Sequence, residues 1–347
     1  GEPKAAVLRH QNLASYVIST VEFAGADEKD AAVVSVPPYH IAGISSVLSS
    51  TYSGRRVVYL EAFEPETWVQ TVRREQVSHA MVVPTMLNRV LDVIDRDGEG
   101  LPSLRALSYG GGPMPLPVIE RAMELLPGAG FVNAYGLTET SSTIALLGPD
   151  DHREAFASDD PAVRGRLASV GKPLPSVEVT IRGPLGQEVP TGERGEVWVR
   201  GEQVSGEYLG RDGDQDEGWF HTRDAGHLDA EGFLYVHGRL DDVIVRGGEN
   251  ISPGEIEDVL LAHPAVESVA VIGIPDTEWG EKVVAVVVPA EGQNPAESEL
   301  QDHVRERLRS TRTPEHIEVR TELPFNETGK LLRRVLRDEL TDLYGPS

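Results

Sequence analysis

The sequence of 347 residues contains no cysteine, and this absence removes several kinds of chemistry. Without thiols there is no disulfide, no thiolate zinc site and no cysteine nucleophile. The longest apolar runs, such as Val283–Pro289, have the length of a strand and are far too short to cross a membrane. No membrane span and no cationic leader stand out, so we expect a cytoplasmic protein.

Positive charge is also in short supply. The formal net charge is −24, and only five residues are lysine. A chain this acidic would repel a polyanion unless it had a concentrated basic face, which argues against nucleic acid as a partner. One small anionic ligand is still compatible with this charge, because backbone amides and a few cations can bind phosphate locally.

The first part of the chain alternates strand-like and helix-like segments. Ala31–Pro37, Ala80–Pro84 and Phe131–Tyr135 have the pattern of buried strands, whereas Pro65–Gln76 and Thr85–Asp95 have the pattern of amphipathic helices. Strands that alternate with helices predict an α/β fold with a mostly parallel sheet. Ligands of such sheets bind at the ends of the strands.

The pattern changes in the second half. Short β runs between glycine and proline turns in Ser169–Arg200 predict a small β-barrel-like subdomain, and the residues after it predict a smaller α+β domain. A chain of this length exceeds the usual size of a single core. We therefore expect a large domain over residues 1–238 and a C-terminal domain over residues 239–347, with Gly148–Pro161 as a mobile loop.

Four motifs follow one another along the chain. They are Tyr135–Glu139 (YGLTE), Phe220–Gly226 (FHTRDAG), Gly238–Glu257 (GRLDDVIVRGGENISPGEIE) and Asn326–Lys330 (NETGK). In this order they resemble the adenylate-forming superfamily, and among its members the acyl-CoA ligases most of all. The resemblance implies an acid–CoA ligase (AMP-forming) that uses ATP, Mg²⁺ and CoA to activate a carboxylic acid.

The N-terminus bears on the same resemblance. Gly1–Ala5 is similar to the last five positions of the family's glycine-rich phosphate loop. The chain thus resembles the C-terminal two-thirds of a complete enzyme, with the AMP-binding domain starting inside that loop. Either the N-terminal part is a separate or cleaved piece, or the chain was truncated inside a flexible glycine-rich loop, where proteases cut readily. In the first case we expect the N-terminal piece to be a partner in activity. The alternative is a fragment that is inactive without it.

The resemblance assigns the first motif to the nucleotide. It implies that Tyr135 lies against adenine, that the Thr138 hydroxyl contacts phosphate and that Glu139 helps to hold Mg²⁺, a cation that prefers oxygen ligands. On its own, the pentapeptide also fits a turn with a solvated glutamate. Other positions implied to bind ATP or AMP are Gly111, Gly112, Pro113, Asn133, Gly136 and Asn250.

The glycine run before this motif supports the assignment physically. Gly110–Pro113 directly follows a predicted strand, and missing side chains let a ligand approach the backbone. A dinucleotide-binding G-x-G-x-x-G would require a spacing that Pro113 and Pro115 interrupt. A glycine run alone is more often a simple turn.

The later motifs supply charged groups. Asp224 matches a family aspartate that accepts hydrogen bonds from the ribose hydroxyls, and Arg239 is expected near ribose and phosphate. Asp241 matches the hinge of the C-terminal domain, although it also fits an ordinary surface charge. Lys330 matches the mobile lysine that neutralises charge between the carboxylate and the α-phosphate.

The acceptor of the acyl group is predicted from a second glycine pair. Arg246, Gly247 and Gly248 are implied to line a pantetheine tunnel, and they fit the turn of a hairpin equally well. Fatty acyl-AMP ligases, which use the phosphopantetheine of a carrier protein, usually carry an insertion in this region. No such insertion interrupts Val170–Arg239, so CoA is favoured and a carrier protein is the alternative.

The segment Pro37–Gly43 corresponds to the family's acid pocket. Tyr39, His40 and Gly43 lie here without an acidic neighbour, whereas relatives that activate amino acids place an aspartate hereabouts. Because a buried, unpaired ammonium is costly, we expect an acid without an α-amino group. Fatty, branched and aromatic acids all remain open. His40 also fits a core histidine satisfied by the backbone.

Overall fold

The structure is a computed structural model that describes residues 5–210, 215–326 and 331–345. It has the mixed α/β fold that the sequence predicts, with one sheet rich in parallel pairs and two sheets rich in antiparallel pairs. None of the helices within these ranges is both long enough and apolar enough to span a membrane.

The chain divides into two compact units. The first unit extends to Thr222 and also contains Gly226–Val236. The second unit consists of Arg223–Ala225 and the residues from His237 onwards.

The first unit contains most of the described elements. Its helices are α1 (His10–Thr20), α2 (Ile41–Ser53), α3 (Pro65–Arg74), α4 (Pro84–Asp97), α5 (Leu116–Leu125), α6 (Pro149–Ala157) and α7 (Pro161–Arg164). Its main sheet is built from β1 (Ala31–Val34), β2 (Arg56–Tyr59), β3 (His79–Val82), β4 (Ala106–Gly110), β5 (Gly130–Leu137), β6 (Ser142–Leu147) and β7 (Lys172–Pro173).

These seven strands have the order β2-β1-β3-β4-β5-β6-β7. Strands β1 to β5 run parallel, and β6 and β7 add antiparallel partners at one edge. All four residues of β1 are buried, as expected for a parallel strand covered on both faces. Trp68 of α3 and Leu87 of α4 are fully buried in the same core cluster as Tyr109 of β4.

One predicted loop is wrong. The segment expected to be mobile contains helix α6, which starts with Pro149 at its first position and has Asp150 and Asp151 in its first turn. Proline is pre-organised for that position, and negative charge stabilises a helix N-terminus. The proline and aspartates that suggested a loop are thus the residues that begin helix α6.

The short β runs form a second sheet. Its strands are β8 (Glu178–Arg182), β9 (Gly195–Arg200), β10 (Gln215–Asp216), β11 (Trp219–Leu228) and β12 (Leu234–Arg239). The order is β10-β11-β9-β8, and β12 pairs with β11, so the described strands form an open sheet. Val197, Phe220 and Leu234 are buried in its core cluster.

The second unit has a sheet covered by helices. Its elements are β13 (Ile244–Arg246), β14 (Glu249–Ile251), α8 (Pro253–Leu261), β15 (Val266–Asp276), β16 (Gly280–Pro289), α9 (Glu297–Arg305), β17 (His316–Val319) and α10 (Arg333–Tyr344). The order is β14-β13-β16-β15, and β17 pairs with β16 in parallel. Alternate residues of β15 and β16 belong to two core clusters, because helices bury both faces of these strands.

Candidate active site

The first motif lies at the turn between β5 and β6. Residues Thr138–Thr140 form a single 3₁₀ turn after β5, and β6 begins two residues later. The Thr140 side-chain oxygen accepts a hydrogen bond of 2.9 Å from the Leu137 N–H, which fixes the start of the turn. Thr138 is exposed and Glu139 is half-buried. The turn thus presents a hydroxyl and a carboxylate at the end of a strand, where ligands of such sheets bind.

The backbone around this turn has two positive φ angles and one very close contact between strands. Ser141 and Ser142 have φ angles of +55° and +109°, which residues other than glycine rarely adopt. A Cβ atom on Gly136 would lie 1.8 Å from the Ser142 carbonyl oxygen, so only glycine fits there. The register of β5 against β6 shifts between Tyr135 and Gly136, as at a β-bulge. The motif glycine therefore permits a close contact between backbones.

Glu139 is held by a segment that the sequence did not single out. The Tyr208 hydroxyl donates a hydrogen bond of 2.6 Å to Glu139 Oε1, and the Ser205 N–H donates one of 2.8 Å to the Glu139 carbonyl oxygen. Tyr208 is 69 residues away along the chain. Neither periodicity nor spacing connects such positions, and only the fold brings them together.

The glycine run lies beside the same motif. Gly110, the last residue of β4, pairs with Ala134 of β5, and a Cβ atom on Gly110 would lie 2.3 Å from the Ala134 carbonyl oxygen. Gly111 has a φ angle of +83° and is exposed, as are the next two residues of the run. The structure therefore brings the predicted adenine-side glycines next to the strand that carries Tyr135.

The residues behind the glycine run form a buried network. The Tyr109 hydroxyl lies 2.8 Å from His152 Nε2, and His152 Nδ1 lies 2.8 Å from the Gly148 carbonyl oxygen. Burial raises the pKa of Tyr109 and lowers the pKa of His152, so both side chains stay neutral. This network fixes the end of β4, from which the glycine run begins.

Asn133 has a structural partner. Its side chain is buried, and its Nδ2 donates a hydrogen bond of 3.0 Å to the Ser169 carbonyl oxygen. The amide thus ties β5 to the segment before β7. The predicted nucleotide contact of Asn133 stays a prediction.

The predicted acid-pocket residues lie at the start of α2. Tyr39 is 66% exposed, and His40 Nδ1 accepts a hydrogen bond of 3.2 Å from the Ala42 N–H as the helix cap. A Cβ atom on Gly43 would lie 2.5 Å from the Pro37 carbonyl oxygen, which explains the glycine. The alternative of a histidine bonded to backbone thus has direct support, and a pocket role for His40 stays a prediction.

Helix α2 is also hydrogen-bonded to the first residue of β6, shortly after the first motif. The Ser142 hydroxyl donates a hydrogen bond of 3.2 Å to Ser45 Oγ, two residues after Gly43. The predicted acid segment and the predicted phosphate-contacting turn are therefore neighbours in the first unit.

The second unit brings two predicted ribose contacts together. Arg239 donates a hydrogen bond of 2.9 Å to Asp224 Oδ1, and the Asp224 side chain is 9% exposed. Arg223 lies 3.9 Å from Asp241, which falls in the short 3₁₀ turn after β12. The Asp224 carboxylate thus accepts a hydrogen bond from a guanidinium of the same unit.

The predicted CoA-contacting residues form the β13–β14 hairpin. Gly247 and Gly248 have φ angles of +57° and +82° at its turn, and Asn250 pairs with Val245 in its strands. Arg246 donates a hydrogen bond to Glu315. The hairpin alternative therefore describes the local structure, and the pantetheine contact stays a prediction.

Two predictions remain, the mobile lysine and the magnesium site. Lys330 lies outside the described residues. Within the described ranges, no group of three or more His, Asp or Glu side chains is arranged to hold a metal ion. Magnesium in nucleotide sites is usually held by one or two carboxylates together with substrate phosphates, and the half-buried Glu139 fits that mode.

Comparison with known proteins supports the resemblance to the adenylate-forming superfamily. The model of a family described as "AMP-binding enzyme" matches residues 1–209, and "AMP-binding enzyme C-terminal domain" matches residues 255–330. The chain is 35% identical over 342 residues to a feruloyl-CoA synthase of Amycolatopsis sp., covering 97% of this chain and 67% of that protein. It is 37% identical over 345 residues to a 2-succinylbenzoate–CoA ligase of Bacillus licheniformis, with the same coverage.

A solved structure agrees with the sequence relatives. The o-succinylbenzoate–CoA synthetase of Bacillus subtilis, in complex with its acyl-adenylate intermediate, superposes with a TM-score of 0.84 and 35% identity. The match covers 97% of this chain and 67% of that one. The chain thus spans about two thirds of the length of these relatives, and it belongs to the AMP-binding enzymes of the adenylate-forming superfamily, among the AMP-forming acid–CoA ligases.

Proposed function

We propose that this protein activates a carboxylic acid with ATP to give an acyl-AMP and then transfers the acyl group to CoA. In the first step a carboxylate oxygen attacks the α-phosphorus, and the bond to the β-phosphate breaks to release pyrophosphate. In the second step the CoA thiolate attacks the acyl carbonyl carbon, and AMP leaves. The observation that carries the proposal is the turn that presents Thr138 and Glu139 at the end of β5.

The chain's own residues supply positioning and charge. Thr138 would contact phosphate, and Glu139 would hold the magnesium ion that neutralises the leaving pyrophosphate. In the second unit, Asp224 would accept hydrogen bonds from ribose while Arg239 keeps that carboxylate oriented. Lys330 would neutralise the charge that builds between the carboxylate and the α-phosphate.

The acid that we propose is aromatic and lacks an α-amino group. The relatives reported above are named for feruloyl and 2-succinylbenzoate groups, both of which contain an aromatic ring. No acidic residue occurs in Tyr39–Ser53, the segment that would meet the substrate, so it offers no counter-charge for an ammonium. Ring edges and faces also pack well against aliphatic and aromatic side chains such as those of Tyr39 and Ile44.

The proposal includes the organisation of the chain. We place the boundary between the AMP-binding part and the C-terminal domain after residue 238, with Asp241 as the hinge and Arg246, Gly247 and Gly248 near the pantetheine arm. Full activity would need the N-terminal third that the relatives possess. We also propose a cytoplasmic location, because a chain without cysteine gains nothing from an oxidising compartment.

The test is acid-dependent exchange of labelled pyrophosphate into ATP by the complete gene product, including any sequence that flanks these residues. Aromatic acids should support exchange, and adding CoA should give the thioester and AMP in equal amounts. Supplying a phosphopantetheine-loaded carrier protein instead of CoA tests the alternative acceptor. If no carboxylic acid supports exchange while ATP still binds, the proposed reaction is wrong.

A further inference from the structure

We propose that Tyr208 is a positioning residue that couples Glu139 to the segment Ala5–Val7, with Gln203 as a second anchor. This inference rests on the proposed function, in which Glu139 holds magnesium. The segment Gln203–Leu209 is called the positioning loop below. It lies between β9 and the second sheet's next described strand and carries none of the motif residues.

One side of the positioning loop holds the turn. The Tyr208 hydroxyl bonds to one oxygen of the Glu139 carboxylate across 2.6 Å, and the Ser205 N–H bonds to the Glu139 carbonyl oxygen across 2.8 Å. Side chain and backbone of Glu139 are therefore both fixed by the same loop. Because Tyr208 donates to Oε1, the second oxygen keeps its lone pairs available for a cation or its bound water.

The other side of the positioning loop holds the start of the chain. The Leu209 N–H donates a hydrogen bond of 2.9 Å to the Ala5 carbonyl oxygen, and the Val7 N–H donates one of 2.9 Å to the Glu207 carbonyl oxygen. Ala6 and Tyr208 face each other in this antiparallel bridge. Tyr208 thus pairs through its backbone with the segment next to the phosphate-loop-like sequence, and through its hydroxyl with Glu139.

Gln203 joins the positioning loop to the last residue of the turn and to β6. Its side chain is fully buried, and Nε2 donates hydrogen bonds of 3.0 Å to the Thr140 carbonyl oxygen and 2.8 Å to the Thr143 carbonyl oxygen. Oε1 accepts a hydrogen bond of 3.1 Å from Ser176 Oγ. Both amide hydrogens and the amide oxygen are used, so the network fixes which way the amide points.

These contacts explain how a strained turn stays in place. Ser141 and Ser142 have unfavourable φ angles. A strained backbone conformation of this kind is kept only when several surrounding contacts hold it in place. Gln203 bonds on both sides of these two residues, to Thr140 and Thr143. The positioning loop therefore sets both the path of the turn and the direction of the carboxylate at its start.

The test is the magnesium dependence of pyrophosphate exchange by the complete gene product, at fixed saturating ATP and acid. Tyr208→Phe keeps the ring and the backbone pairing but removes the hydrogen bond to Glu139. We expect the half-saturating magnesium concentration to rise about five- to tenfold, as for the net loss of one typical hydrogen bond. The KM for the acid should stay within twofold, because the turn's metal ligand is displaced and the acid segment is not.

Gln203→Glu replaces the buried donor group with an oxygen that faces two carbonyl oxygens. This substitution should also raise the half-saturating magnesium concentration, and it should lower the melting temperature. The matched control is Gln301→Glu in the second unit, since Gln301 Nε2 also donates to two carbonyl oxygens, those of Pro314 and Glu315, at 3.1 and 3.3 Å. The control should lower the melting temperature and leave the magnesium requirement unchanged.

The outcomes distinguish the positioning role of Tyr208 from the role of Glu139 in the proposed function. If Glu139→Gln loses exchange while Tyr208→Phe keeps the wild-type magnesium requirement, the positioning role is wrong and the proposed function stands. If Glu139→Gln keeps wild-type exchange, the role given to Glu139 in the proposed function is wrong as well. Should Gln203→Glu fail to fold, Tyr208→Phe decides the matter alone, because it removes only the hydroxyl group of a half-buried side chain.

Discussion

The Arg239 guanidinium donates a hydrogen bond of 2.9 Å to the carboxylate of Asp224, so two side chains predicted to contact ribose also contact each other. The Asp224 side chain is 9% exposed and the Arg239 side chain 37% exposed. A buried carboxylate is costly unless it is paired and hydrogen-bonded. Arg239 therefore gives the mostly buried Asp224 carboxylate a charged donor.

Asp224→Ala tests this arrangement. It should raise the KM for ATP at least tenfold, because a hydrogen bond from ribose to a charged acceptor is lost and Arg239 is left without this partner. Arg239→Lys keeps the charge but loses the planar fork, and its effect should be smaller. Glu178→Ala is the control, since Glu178 and Arg200 form an exposed ion pair at 2.6 Å. An unchanged KM for ATP in Asp224→Ala would contradict the ribose assignment.

A pair of glycine substitutions tests the backbone of the candidate site. Gly136→Ala would place a Cβ atom 1.8 Å from the Ser142 carbonyl oxygen, so we expect the free energy of unfolding to fall by about 2 to 3 kcal/mol. A Cβ atom on Gly112 meets nothing within 4 Å, and Gly112→Ala should change stability by less than about 0.5 kcal/mol. Chemical denaturation of both variants measures the difference. Equal stability of the two variants would mean that β5 and β6 do not approach as closely as described.

The same substitutions separate structural from ligand-binding roles. If Gly112 lies against the nucleotide as predicted, Gly112→Ala should weaken ATP binding without destabilising the protein. Isothermal titration with ATP measures this effect directly. A variant that binds ATP like the wild type would remove Gly112 from the predicted nucleotide contacts.

Sequence patterns predicted the strands and helices with strong periodicity and missed the contacts between distant segments. Strand β5, predicted as Phe131–Tyr135, and helix α3, predicted as Pro65–Gln76, both follow from apolar spacing. Helix α2 was not predicted, because its run of serines and small residues has little amphipathic pattern. Tyr208 and Gln203 also left no signal, since their partners are about 60 to 70 residues away and depend on sheet topology.

The family motifs predicted more of the candidate site than physical patterning did. YGLTE marks a turn whose glycine is now explained by the close approach of the Ser142 carbonyl oxygen. Asp224 and Arg239 were assigned separately, and their mutual hydrogen bond could not be inferred from spacing. His40 caps helix α2, in line with the alternative of a histidine bonded to backbone, and the acid pocket around it stays a prediction.

His79 should give the protein a measurable sensitivity to acid. Burial, and then the charge of Arg55, lower the pKa of His79 from its usual 6.5 to about 4. As the pH falls from about 6.5 towards 4, the unfolded chain binds a proton at this position before the folded chain does, so the free energy of unfolding decreases. After allowance for partial exposure, we expect a loss of roughly 1 to 2 kcal/mol over this interval.

Denaturation of the wild type and of His79→Asn between pH 4 and pH 8 tests this expectation. The difference in stability between the two proteins should shrink as the pH falls, because the variant lacks the titrating ring. His10→Asn, at an exposed position, is the control and should follow the wild type. Parallel curves for His79→Asn and wild type would show that His79 is not the group responsible.

Lys330→Ala should separate the two half-reactions. The lysine is proposed to neutralise charge only in the adenylation step, so pyrophosphate exchange should fall by at least a hundredfold. Thioester formation from supplied acyl-AMP and CoA should stay within a few-fold of the wild type. Asp241→Pro, which fixes φ at the proposed hinge, should give the reverse pattern. Equal loss of both half-reactions in Lys330→Ala would overturn the role given to this lysine.

Substrate choice should follow the absence of an acidic group in the acid segment. Tyr39, His40 and the residues of α2 offer no counter-charge, and an α-ammonium would have to lose water without gaining a partner. That cost is several kcal/mol, or roughly a thousandfold in kcat/KM. A panel of matched acids, such as 3-phenylpropionate against phenylalanine, isolates the ammonium because the rest of each molecule is the same. Exchange with the amino acid at a comparable rate would contradict the neutral pocket.

Ala42→Asp would supply a carboxylate beside the His40 cap. If this segment meets the substrate, the variant should reduce the ratio of kcat/KM for 3-phenylpropionate to that for phenylalanine. An unchanged ratio would place the substrate elsewhere.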